Sequence, residues 1–212
     1  MKALTTAGLT LLVVLGAMRA RAQTGAGLLG GMSVANLHQT SSSFLFYDYH
    51  STTRLAGGAL VELGRGRWAV RFEPMYSAKG SRFLDPGCPC LRPVGYVPKQ
   101  NDLRQSYLEL PVLVTLSLGR GRLRPYVLAG QTVSYLTSAR LRRDGQEADV
   151  RPQLHEWDLG VDLDVGARLT AGKAAPFLEV RYRLGLISID EANSHDRGAQ
   201  ILAGFSYEVG RH

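Results

Sequence analysis

The chain has 212 residues, a near-neutral mean hydropathy and a net charge of +7, which leaves room for one domain with a sizeable core. Without Lys2, Arg19 and Arg21 of the N-terminal segment, 22 basic residues stand against 18 acidic ones, and they are spread over turns and alternate positions. That distribution gives no basic stripe for nucleic acid, and no apolar run after the N-terminal segment reaches the length of a membrane helix.

The first 22 residues read as a secretory signal peptide. Lys2 supplies a positive start, Leu9 to Ala17 an apolar core, and Ala20-Arg21-Ala22 a small-x-small cleavage site before Gln23. The expected organisation is therefore a signal peptide over 1–22 and one domain over 23–212.

From there apolar residues recur with a period of two, the signature of strands with one oily face. Strand one is predicted over Gly25 to Leu37, followed by a polar loop from His38 to Thr52. Strand two, Thr53 to Leu63, sets Leu55, Gly57, Ala59, Val61 and Leu63 on one face and ends at the turn Gly64-Arg65-Gly66-Arg67. Strand three, Trp68 to Ser77, alternates Trp68, Val70, Phe72, Pro74 and Tyr76 against Ala69, Arg71, Glu73, Met75 and Ser77. Lys79 to Asp102 is too long and proline-rich for a tight connection and reads as an exposed loop.

Strands four and five form a hairpin from Leu103 to Ala139 about a second Gly-Arg-Gly-Arg turn, residues 119–122. Leu108, Leu110, Val112, Val114, Leu116 and Leu118 share one face. Such strands suit a tilted span of a lipid hydrocarbon layer. Leu141 to Leu154 is predicted as a charged loop. Strand six, Glu156 to Leu169, alternates most regularly: Trp157, Leu159, Val161, Leu163 and Val165 against Asp158, Gly160, Asp162, Asp164 and Gly166. Strand seven follows a turn at 170–175 and strand eight covers Gly198 to Val209, with the polar loop Asp190 to Arg197 between them.

Eight strands joined by alternately long and short connections predict an all-β, eight-stranded antiparallel up-and-down transmembrane β-barrel, with short turns in the periplasm and long loops outside. The polar faces carry charges that make sense as an interior. Pairing strands six and seven about residues 172 and 173 sets Asp162 against Arg183 and Asp164 against Arg181, favourable cross-strand pairs. Glu73, Glu109, Asp162, Asp164, Arg181 and Arg183 are the expected interior charge network. Arg71, Glu179 and Glu208 read as further interior charges. The oily faces carry Trp68 and Tyr207 near the turns and Tyr76, Tyr135 and Trp157 near the loops, as in the aromatic girdles of membrane barrels.

Cys88 and Cys90 are the only cysteines. In an exported protein they read first as a loop disulfide, with free or intermolecular thiols, or a metal pair short of ligands, as the alternatives.

The ordered segments Gly31-Met32-Ser33-Val34-Ala35-Asn36-Leu37, Phe72-Glu73-Pro74-Met75-Tyr76-Ser77-Ala78-Lys79-Gly80, Tyr107-Leu108-Glu109-Leu110-Pro111, Pro125-Tyr126-Val127-Leu128-Ala129-Gly130 and Glu179-Val180-Arg181-Tyr182-Arg183-Leu184-Gly185-Leu186 resemble the PorT-type outer membrane protein beta-barrel family of Gram-negative bacteria. The end of the chain, Gly204-Phe205-Ser206-Tyr207-Glu208-Val209, resembles the signal read by the barrel assembly machinery, departing from it at Leu202 and in the trailing Gly210-Arg211-His212. The resemblance implies a porin-like outer-membrane protein with outer membrane lipid and, during biogenesis, that machinery as partners. It implies little about activity.

No catalytic constellation emerges. Ser194-His195-Asp196 is a consecutive tripeptide whose side chains point apart, and neither Gly-Arg-Gly-Arg turn has the third glycine and helix of a phosphate loop. Asp158 and Asp164 are about 20 Å apart on a strand, too far to share a cation. No cofactor is expected. The leading expectation is a non-enzymatic barrel with a narrow pore or none. Its loops would meet an extracellular or envelope partner, or lipopolysaccharide. An outer-membrane lipid-modifying enzyme using His155 or His195, and a soluble periplasmic ligand carrier, are the alternatives.

Overall fold

A computed structural model describes residues 23–39, 49–85, 99–119, 121–143, 145–170, 172–186 and 194–210. The predicted signal peptide, the connection holding Cys88 and Cys90, and residues 211–212 lie outside the described residues.

The strands are β1 (Gln23–Gln39), β2 (Tyr49–Arg65), β3 (Trp68–Phe72), β4 (Met75–Asp85), β5 (Lys99–Ser117), β6 (Leu123–Arg143), β7 (Gln146–Asp149), β8 (Trp157–Leu169), β9 (Ala174–Gly185) and β10 (Ser194–Gly210). All pairings are antiparallel, and β1 pairs with both β2 and β10, so the sheet closes on itself. β3 and β4 are two halves of one barrel strand. Phe72 faces Val112 and Met75 faces Glu109 without any slip, and the ladder breaks only where Pro74 has no N–H to donate. β7 lies outside the ring as a short extension on β6. The result is an eight-stranded up-and-down barrel.

Closure is tight at the seam between the first and last strands. A Cβ on Gly27 would lie 2.1 Å from the Phe205 carbonyl oxygen, and one on Gly31 would lie 1.9 Å from that of Ile201. Only glycine permits this approach of the two backbones.

Burial follows the alternation. Leu55, Trp68, Leu163, Val165, Leu178, Ile201 and Phe205 are exposed on the outer wall, while Arg71, Glu73, Asp162, Glu179 and Arg181 are buried inside. An exposed apolar band of this extent belongs in lipid. Trp68 and Tyr207 bound it near the turns; Tyr76 and Trp157 bound it near the loops, with the Tyr135 and Trp157 rings 4.9 Å apart.

The interior is not wholly polar. Leu29, Ala56, Leu60, Met75, Phe177 and Leu202 form one inward apolar cluster, and Leu113, Tyr126 and Leu128 another. Leu202, an odd residue for its strand by sequence, fills the first of these.

The ends of several strands differ from expectation. β4 runs to Asp85 and β5 begins at Lys99, so much of the predicted Lys79 to Asp102 loop is a ladder. Likewise β2 begins at Tyr49 and β10 at Ser194, inside predicted loops. Above the membrane both faces of a strand are wet, so the hydropathy period disappears while the backbone hydrogen bonds continue. The predicted loop Leu141 to Leu154 is also structured. β6 reaches Arg143 and turns back through Gly145, at φ +82°, into β7. A short 3-10 turn follows at Arg151–Gln153. Val150 and Leu154 then pack on Tyr107, Leu136 and Ala139, drawing this segment onto the barrel mouth.

The two Gly-Arg-Gly-Arg copies fold differently. In the first, Arg65 pairs with Trp68 across a two-residue turn in which Gly66 takes φ +68°. In the second, Leu118 donates to the Pro125 carbonyl across a longer connection.

Candidate functional site

The distinctive chemistry of the fold lies in its lumen. Inward positions of β2, β3, β4, β5, β8 and β9 converge there because a strand turns every second side chain to the same face. Asp162 faces Arg183 and Asp164 faces Arg181 across the β8–β9 ladder. Arg183 Nε donates to Asp162 at 2.7 Å, and Arg181 Nε donates to Asp164 at 3.0 Å. Both arginines also reach across the lumen, Arg181 to Glu73 and Arg183 to Glu109. All six predicted network residues thus meet in one region, and each is nearly or fully buried.

The structure adds Lys79, Thr132, Glu62, Arg168 and Tyr126 to this set, and it places Arg71 and Glu179, both expected inside, among them. Lys79 pairs with Glu109 at 3.1 Å. Thr132 donates its hydroxyl to Asp162. Nearer the turns, Arg168 grips Glu62 with a two-pronged pair of bonds at 3.0 and 2.7 Å. Arg71 joins Glu62, Glu73 and Glu179 at 2.9, 3.3 and 2.8 Å, and its guanidinium lies over the Tyr126 and Phe177 rings. Tyr126 donates to Glu179 at 3.0 Å. Lys79 opens the segment whose prolines predict a loop; carrying the inward alternation Glu73, Met75, Ser77 one step further finds it. Glu62 and Arg168 sit at strand ends, where alternation alone carries least information. Glu208, also expected inside, is half-exposed beside the turn-side mouth.

Buried charges are stable only when each has partners close enough to replace water. Here every carboxylate of the network touches at least one guanidinium or ammonium, and Arg181 touches Glu73, Asp164 and Glu179. The network crosses from β9 and β8 to the β3–β4 strand and β5, so it fills the lumen rather than coating one wall. At the turn-side mouth a cavity of about 80 Å³ is floored by Glu62 and Arg168.

Among the described residues, no three His, Cys, Asp or Glu side chains are grouped as a metal ion would need. The backbone of Ser194, His195 and Asp196 begins β10, with His195 opposite His38. His155 is exposed beside the barrel mouth.

Residues 20–191 match the family model described as "Outer membrane protein beta-barrel domain". The chain belongs to that family. No curated protein matches its sequence. Among solved structures it resembles Neisserial surface protein A, at 13% identity and a TM-score of 0.51 over 87% of this chain and 96% of that one. It also resembles OprG of Pseudomonas aeruginosa, at 11% identity and a TM-score of 0.51 over 88% and 96%. At these identities the likeness concerns the fold alone. This outer-membrane barrel therefore carries its apolar wall in lipid and its charges inside.

Proposed function

We propose that this barrel is a sealed, non-enzymatic member of the PorT type, exported by residues 1–22, whose extracellular end presents a binding surface to envelope or external partners. The observation that carries the reading is the lumen. Arg181 bridges from Asp164 on β8 to Glu73 across the barrel, and with Arg71 and Arg183 it fills the space a solute would need. An eight-stranded barrel has only room enough for side chains to begin with, and this one fills that room with paired charges and leucines. Function then falls to what projects beyond the membrane. The ordered PorT-like segments, from Gly31 through Leu186, support the assignment to that branch.

Planar-bilayer recording of the purified protein tests the seal. The expected record is flat at all potentials below membrane breakdown. Reproducible stepwise conductance from the wild-type barrel would reject the reading and return a transport role. Replacing residues 86–98 with a short Gly-Ser linker is expected to leave insertion intact, because the β4–β5 ladder continues below them. A variant that cannot insert would show that this connection serves the barrel rather than a partner.

A further inference from the structure

On the outer wall, β4, β5 and β6 carry an apolar groove and, directly above it, a cluster of arginines. The groove, about 600 Å³, is lined by Pro74, Tyr76, Leu108, Val133, Tyr135 and Trp157, at the level of the loop-side girdle. It exists because Pro74 puts only a small ring on the outward face between Phe72 and Tyr76. Tyr76 and Ser106 close its upper edge with a 2.8 Å hydroxyl–hydroxyl bond.

Four residues above Leu108 on β5, about 13 Å along the strand, stands Arg104. Its partner across the ladder is Arg140. Directly opposite residues share a face, and two like charges there repel. One step higher, Asp102 lies between Arg82 and Arg142 in the ladder and holds Arg54 and Arg104, each at 3.1 Å. Glu147 and Asp149 on β7 lie beside Arg142 and Arg140 in register, Glu147 at a loose 3.7 Å from Arg140. Five guanidiniums thus face three carboxylates. Among the described residues, no carboxylate forms an ion pair with Arg82, and Arg104 and Arg140 are well exposed.

We propose that this wall is a binding site for a phosphorylated, acylated glycolipid of the outer leaflet, the lipid A portion of lipopolysaccharide. Its phosphates sit on Arg104 and Arg140, relieving their repulsion, and one acyl chain lies in the groove below. The site faces the outer leaflet because it stands at the long-connection end. A surplus of guanidiniums is what a doubly phosphorylated headgroup satisfies and a zwitterionic phospholipid does not. This proposal goes beyond the sealed lumen and does not depend on it; bilayer recording and lipid titration fail independently.

Trp157 lies in the groove, and Trp68, the only other tryptophan, is at the turn end. The full chain carrying Trp68→Phe, in zwitterionic micelles, therefore reports the site by its emission. Titration with bisphosphorylated lipid A should give a saturable change, and fully dephosphorylated lipid A should bind about tenfold more weakly or worse. Arg104→Gln with Arg140→Gln should cost a similar factor toward the phosphorylated lipid, while Arg65→Gln with Arg67→Gln at the turn end should cost nothing. Equal affinity for the two lipids, or undiminished affinity in the Arg104/Arg140 variant, would overturn the proposal. If that variant fails to insert, the two-lipid comparison on the unaltered site still decides.

Discussion

Arg71 and Glu179 are 108 residues apart in the chain and 2.8 Å apart in the barrel. Arg71 is fully buried, and Glu62, Glu73 and Glu179 all pair with it. Arg71→Ala should destabilise the barrel by about 3–5 kcal/mol, because it removes a counter-charge that three buried carboxylates share and leaves Glu62 to Arg168 and Glu73 and Glu179 to Arg181 alone. Urea unfolding in lipid vesicles, followed by the loss of heat-modifiable gel migration, measures this. A change within about 0.5 kcal/mol, the level of an ordinary surface substitution, would mean that water reaches these carboxylates.

The same reasoning separates single from paired replacement at Asp162 and Arg183. Arg183→Met alone leaves both Asp162 and Glu109 short of a partner. Arg183→Met with Asp162→Leu removes one of those charges together with its partner, so the double variant should be more stable than the single one. A double-mutant cycle with purely additive losses would argue against coupling through the network.

Removing two plugs at once should open the lumen. Arg181→Ala with Arg183→Ala leaves Glu73, Glu109, Asp162, Asp164 and Glu179 lining the space. The expected outcome in planar bilayers is small, cation-favouring conductance where the unaltered protein is silent. Continued silence would mean that Leu60, Leu202 and Phe177 seal the barrel by themselves.

Tyr126 lies over Gly166, its partner across the ladder, and a Cβ on Gly166 would meet the ring at 2.6 Å. Gly166→Val must push the ring off Glu179. It should cost about 1–3 kcal/mol, and Tyr126→Ala in the same chain should recover part of the overpacking. Vesicle unfolding of the three variants checks both statements.

Lipid contact can be read from depth. Leu163 lies midway along the outer face of β8, and Leu169 at its turn end, and both are exposed. Leu163→Arg should cost ~2–4 kcal/mol and Leu169→Arg ~0–1 kcal/mol. Equal costs would place the hydrocarbon layer elsewhere on the wall.

What the sequence alone reveals of the barrel follows from where lipid acts. Between the girdles, lipid requires one apolar face, so the period of two marked the strands and their inward residues. The short β8–β9 turn then allowed the pairs Asp162–Arg183 and Asp164–Arg181 to be found by counting. Beyond the girdles that constraint lapses, and the ladders of Asp85 with Lys99 and of Arg143 with Gln146 left no hydropathy signal.

The sequence by itself therefore determined the class of protein: an eight-stranded barrel with an oily wall, a charged interior and aromatic girdles. Those properties depend only on neighbours along the chain and on the solvent each face meets. Tertiary structure decided which charges share a partner. Arg71 meets Glu179 and Arg168 meets Glu62 only once the sheet has closed, whereas Arg104 meets Arg140 through the register of the β5–β6 hairpin. Closure brings together side chains that no local periodicity relates, and the sealed lumen arises there, while the arginine-crowned groove follows from the registers of neighbouring strands.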